Sequence, residues 1–111
     1  MGDFSLKLNS FLEEARELSK EFLNEMNEVG KVIREAESVL CSFPLDEYKY
    51  HIDEESYFLW KNKRICFGNK EMEKPFIETK VTIRHKNKEI LNDFLLECLK
   101  EFKKIIKKEN L

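Results

Sequence analysis

From Phe4 to Phe43 apolar residues recur at positions 4, 8, 11, 15, 18, 22, 26, 29, 33, 36, 40 and 43, and every step is three or four residues. That spacing lays one continuous stripe along one side of an α-helix. Ser10 with Glu13 has the spacing of a capping box, while Phe4, Leu6 and Leu8 also alternate as a short strand does, so the helix is expected to start between Ser5 and Ser10. Pro44 ends it, giving a helix over 5–42. At 1.5 Å per residue the span from Ser10 to Ser42 alone is about 50 Å long. The average helix has only about 11–12 residues, and such a rod cannot pack along its whole length on a small sheet. Two outcomes relieve this: a break near Gly30, where glycine weakens a helix by roughly 1 kcal/mol relative to alanine, or burial of part of the stripe against another chain. The successive four-residue steps at Leu18, Phe22 and Met26 form a stutter that locally unwinds a left-handed coiled coil. They favour a short helical interface over a long regular one.

Beyond Pro44 the period changes. Leu45 to Glu55 reads as a polar connector with aromatics, Tyr57–Lys61 and Arg64–Phe67 as strands around an Asn62-Lys63 turn, and Gly68 to Pro75 as a charged loop. Phe76–His85 alternates Ile77, Thr79, Val81 and Ile83 against Glu78, Lys80, Thr82 and Arg84, the pattern of a third strand. Asn87 is expected to cap a final helix over 87–108, whose last turns carry Lys100, Lys103, Lys104, Lys107 and Lys108. The expected fold is one α+β domain over 1–111 in the order α-β-β-β-α. A three-stranded antiparallel meander over 56–85 has both helices on one face. A two-residue turn pairs Lys61 with Arg64, Trp60 with Ile65, Leu59 with Cys66 and Phe58 with Phe67. Phe58, Trp60, Ile65 and Phe67 then face the core. Tyr57, Leu59, Lys61, Arg64, Cys66, Glu78, Lys80, Thr82 and Arg84 collect on the opposite face.

The net charge of −2 hides an asymmetry. Residues 1–55 carry fourteen acidic against six basic side chains, and residues 56–111 carry eight against fourteen. The halves are complementary, so they are expected to dock on each other within a chain or across a dimer, or else to meet partners of opposite sign. Cys41, Cys66 and Cys98 are too scattered for a disulfide framework or a zinc motif, which points to a reducing cytoplasm. No apolar run approaches the ~20 residues of a membrane span. The opening Met-Gly-Asp-Phe-Ser-Leu has neither a signal-peptide core nor the myristoylation pattern.

Nothing in the chain has the spacing of catalytic machinery. There is no nucleophile elbow or phosphate-binding glycine loop, and His51 and Asp53 lack a second ligand pair. The expectation is a protein that is not an enzyme, with no cofactor and no metal. Two surfaces remain. The long helix carries extra apolar residues, Leu12, Leu23, Val32 and Val39, which widen its stripe beyond what three short strands cover. Either the last helix covers them, or the helix is a homodimer or protein-partner interface with Phe11, Leu18, Phe22, Met26 and Val29 as contact residues. The alternative is a nucleic-acid-binding module, with Tyr57 stacking on bases and Lys61, Arg64, Lys80 and Arg84 meeting phosphates. Stacking platforms use two or three exposed aromatics, and strand parity turns Phe58, Trp60 and Phe67 inward.

A long acidic helix, an aromatic hairpin, the segment KPFIETKVTIR and a short terminal helix follow one another in this chain. This layout resembles small proteins of unknown function carried by bacteriophages and plasmids, in the order of elements and not in a specific motif. The uncovered apolar positions of the long helix lead to the expectation of a small accessory protein working by protein–protein contact in the cytoplasm, the host's if the source is viral. One form is an inhibitor of a host factor, whose acidic helix, with Glu13, Glu14, Glu17, Glu21, Glu25 and Glu28, occupies a basic site on that factor.

Overall fold

The computed structural model describes residues 2–109; Met1, Asn110 and Leu111 lie outside them. The first helix, α1, spans Gly2–Leu40. It starts before the Ser5–Ser10 window and passes Gly30 without a break. Gly30 is buried between the buried side chains of Met26 and Ile33, so packing on both sides outweighs its weak helix propensity. A Cβ at this position would meet Arg34 Nη1 at 3.7 Å, an ordinary contact. Gly30→Ala is therefore expected to stabilise the fold by about 0.5–1 kcal/mol, read as a higher denaturant midpoint at unchanged slope.

Four strands follow: β1 Tyr48–His51, β2 Tyr57–Lys61, β3 Arg64–Gly68 and β4 Glu73–Pro75. They form an antiparallel meander in the order β1-β2-β3-β4. The α+β class is the one the sequence predicts, with four strands in place of three. The β2–β3 register is also the predicted one, from Lys61 opposite Arg64 to Phe58 opposite Phe67. Asn62 and Lys63 at its turn both have positive φ, 54° and 63°, the mirror-image turn whose twist suits a hairpin.

The outer strands differ from the expectation. β1 forms inside the segment read as a connector, where Tyr48, Tyr50 and Ile52 pack against the core while Lys49 and His51 stay exposed. Phe76–His85 is not a strand. β4 ends at Pro75, which has no N–H to donate to a ladder, and Phe76–Glu78 form one 3₁₀ turn. The second helix, α2, spans Val81–Glu109 and so begins six residues before Asn87. Asn87 is not its cap: it is buried and its Nδ2 donates to the Ile83 carbonyl one turn back at 2.9 Å.

α1 and α2 run side by side in the same direction, since Phe22 meets His85, Glu25 pairs with Lys88, and Phe43 stacks on Phe102 at 4.3 Å. Both cover one face of the sheet. Ile33 and Leu40 of α1, Leu91, Phe94 and Cys98 of α2, and Phe76 close on Phe58, Trp60, Ile65 and Phe67 to make a single core. Phe58 is its centre: fully buried, edge-on to Phe76 at 4.9 Å and Phe67 at 6.0 Å, and stacked on Phe94 at 5.4 Å. The oppositely charged halves of the chain meet in Glu37 with Arg64, Glu25 with Lys88 and Glu55 with Lys70. Among the described residues no helix is long and apolar enough to cross a membrane.

Candidate functional site

α1 outruns the body it packs on. From Phe22 onward it lies on α2 and the sheet, but before Phe22 none of its described residues is buried. Phe4 is 74% exposed, Phe11 64% and Leu18 59%. The molecule extends 78 Å and has a radius of gyration of 19.4 Å, whereas a compact chain of this length has about 13 Å. The difference is a projecting helical arm, residues 2–21, about 30 Å long. At 3.6 residues per turn, Phe4, Phe22 and Leu40 are spaced by about five whole turns each. The arm therefore turns to solvent the same side of the helix that the second half turns to the core.

The five predicted contact residues divide along this line. Phe11 and Leu18 are exposed on the arm. Phe22, half-buried, tilts against His85 at 5.3 Å where the arm leaves the body. Met26 is buried and Val29 packs on the core, so both serve the chain's own interior. The arm also presents Phe4 and Leu8, members of the same stripe that the five-residue set omits. Of the extra apolar residues, Leu23, Val32 and Val39 remain exposed and α2 does not cover them. Val32 and Val39 line an open groove of about 310 Å³ between the two helices, with Ala36, Leu40, Phe43 and Leu95.

The outer face of the sheet is the second candidate. Lys49, Leu59, Cys66 and Pro75 form one row across it, and His51, Tyr57, Gly68 and Glu73 the next. Tyr57 lies across Gly68, where any Cβ would overlap its ring, and its hydroxyl donates to Glu73 at 2.6 Å. That bond pushes the Tyr57 phenol above its ordinary pKa. Lys49 Nζ sits 4.0 Å over the same ring. Lys61 Nζ is 3.8 Å from Glu73.

Arg64 Nε donates to Glu37 at 3.0 Å, and the same carboxylate oxygen accepts the Ile65 N–H at 2.9 Å. β4 pairs with β3 only from Cys66 to Gly68, so Ile65 stands just past its end. Glu37 thus closes a strand edge that would otherwise lack an acceptor. Glu37→Ala is expected to cost about 1–3 kcal/mol, most of it from the Ile65 N–H. The Arg64 side chain, 42% exposed, can rehydrate. Chemical denaturation checks this, and a loss below about 0.5 kcal/mol would show that the contact is idle.

Glu78, Lys80, Thr82 and Arg84 do not extend this face, because Phe76–Glu78 form the 3₁₀ turn and α2 starts at Val81. Lys80 precedes α2, and Arg84 Nη1 donates to the carbonyls of Ile77, at 3.0 Å, and Thr79. Of the five-residue anion patch, Tyr57, Lys61 and Arg64 share a face, and Lys80 and Arg84 lie elsewhere. All three that share it have partners within the chain.

Asp53 shapes a turn. Asp53 Oδ1 accepts the N–H groups of Glu55 and Ser56 and the Ser56 hydroxyl, all at 2.8–2.9 Å. The Glu55 N–H and its neighbours hold the Asp53 carboxyl below the usual range. This is the turn between β1 and β2. Among the described residues no group of three or more His, Cys, Asp or Glu is placed to hold a metal ion. The three thiols are free; burial pushes Cys98 up to about 12 and raises Cys66, so neither is an activated nucleophile. Comparison with protein-family models, with curated proteins and with solved structures gives no match.

Proposed function

We propose that this is a non-enzymatic protein-interaction module that acts through the projecting arm of α1, with a second copy of the chain as its partner. The observation that carries the reading is the arm's apolar stripe, continuous with the stripe that builds the core and left exposed among the described residues. Most helical stability in proteins comes from packing an apolar face, and the arm's face is packed on nothing among the described residues. Phenylalanines and leucines on such a face are the chemistry of a helix–helix interface.

The more specific form of the reading is an accessory protein of the phage or plasmid type. The acidic flank of the arm, Glu13, Glu14, Glu17 and Glu21, then adds contacts to a basic host surface. A reducing cytoplasm, the host's if the source is viral, is the compartment this reading assigns. Nucleic-acid binding has less support, because Tyr57, Lys61 and Arg64 already have acceptors or rings within the chain.

Sedimentation equilibrium with amide hydrogen exchange tests the proposal. The expected result is a dimer at micromolar concentration, with protection over residues 4–20 that fades on dilution. A monomer at several hundred micromolar with a freely exchanging arm would overturn it.

A further inference from the structure

We infer that two arms pair antiparallel, with each residue i of the apolar stripe facing residue 26 − i of its partner. The inference rests on the arm being a self-association surface and concerns how it is used. Between Phe4 and Phe22 the stripe reads Phe4, Leu8, Phe11, Ala15, Leu18, Phe22, with the 4-3 spacing of facing layers in a helix pair. A parallel pair sets each residue against itself. It stacks phenylalanine on phenylalanine in three layers and leaves an Ala15–Ala15 layer that nothing fills. The antiparallel alignment sets Phe11 against the partner's Ala15, Leu8 against the partner's Leu18, and Phe4 against the partner's Phe22. Large then faces small where the parallel pair has a void, which is the condition for an evenly filled interface.

Flanking residues favour the same arrangement. Lys7, Glu14 and Glu21 lie along one side of the stripe, and Ser5, Leu12 and Ser19 along the other. When the helices are antiparallel, like flanks meet. The flanking rows lie to either side of the stripe and pair two positions off its alignment: Lys7 meets the partner's Glu21 twice over, Leu12 meets the partner's Leu12, and Glu14 is the one charged flanking residue that meets its like. In a parallel pair Lys7 would face Leu12, and Glu21 would face Met26, which is already buried in the body. Charge and size therefore agree on one orientation. The closing layer, Phe4 on the partner's Phe22, sits where Phe22 rests against His85. The shared interface is thus continuous with the existing contact between α1 and α2.

Spin labels test the geometry on the full chain. Cys41 is replaced by serine, since it is exposed while Cys66 and Cys98 are buried, and Glu13→Cys or Lys20→Cys carries the label. Both positions lie on the side away from the stripe. In the antiparallel pair the two copies of residue 13 lie level with each other along the axis, whereas two copies of residue 20 are offset along it by about 21 Å. The Lys20→Cys distance is therefore expected to be clearly the longer. Equal distances in a protein that is dimeric by light scattering would overturn the antiparallel arrangement and leave the arm reading intact. A monomeric protein, or a dimer unaffected by Leu18→Glu, would overturn both. The charge swap gives a second readout. Lys7→Glu is expected to weaken the dimer by on the order of tenfold, with Glu21→Lys on top of it restoring affinity; a swap without rescue counts against the antiparallel pair.

Discussion

Leu18→Glu is expected to leave a monomer whose body still unfolds in one cooperative transition. Leu18 is 59% exposed and is not one of the residues that build the core, so the folded monomer has little to lose. The dimer has much to lose. Each copy forfeits about 2 kcal/mol of leucine burial and places an unpaired carboxylate in an apolar layer. Two copies amount to at least about 4 kcal/mol, three orders of magnitude in Kd. Light scattering over a dilution series reads the change in mass. Thermal unfolding supplies the control, because on the proposed dimer the wild-type Tm is expected to depend on protein concentration and that of the variant is not. A variant that remains dimeric would remove the arm from consideration as the interface.

Phe58→Ala should behave in the opposite way. The ring is fully buried among Phe67, Phe76 and Phe94, a cluster drawn from β3, the 3₁₀ turn and α2. Deleting it leaves a cavity that three separate elements would have to shift to fill. The cost is about 3–5 kcal/mol, a large share of the roughly 5–15 kcal/mol that holds a domain of this size together. The urea midpoint should fall steeply, and at fixed protein concentration the dimer should weaken only as far as the body unfolds. A loss under about 1 kcal/mol would mean that the aromatic cluster is not the centre of the fold. Leu18 and Phe58 are both large apolar residues, and the pair of results separates a side chain that holds the body from one that meets a partner.

Much of this architecture is legible in the residues. The three- and four-residue steps of the stripe carry α1, and the two-residue spacing around Asn62-Lys63 carries the β2–β3 register down to each cross-strand pair. β1 left a period-two signal too, in Tyr48, Tyr50 and Ile52. Its inward positions are tyrosines, which serve equally well in a polar connector. Phe76–His85 misleads because two periods overlap there. Ile77, Thr79, Val81 and Ile83 alternate, yet Ile83 also begins the helical series that continues through Asn87 to Leu91 and Phe94. The polar Asn87 hides that continuity, since a buried asparagine bonded to its own helix looks in sequence like a cap. Glu37 as the acceptor for a strand edge left no local trace, because its two partners lie 27 and 28 positions away. The two halves of α1 cannot be told apart by spacing, which is the same in both. Only the placement of α2 and the sheet decides which half is covered.

An unbroken α1 also makes the arm a ruler with a phase. Adding or deleting one residue between Leu18 and Met26 would turn the body by about 100° around the helix axis relative to the arm. A change of eighteen residues would leave the facing unchanged and alter only the separation. In a pair of such chains the arm sets both how far apart the two bodies stand and which of their sides share a direction. Gly30, by staying helical, transmits that twist without slack from the tip of one molecule to the sheet of the same molecule.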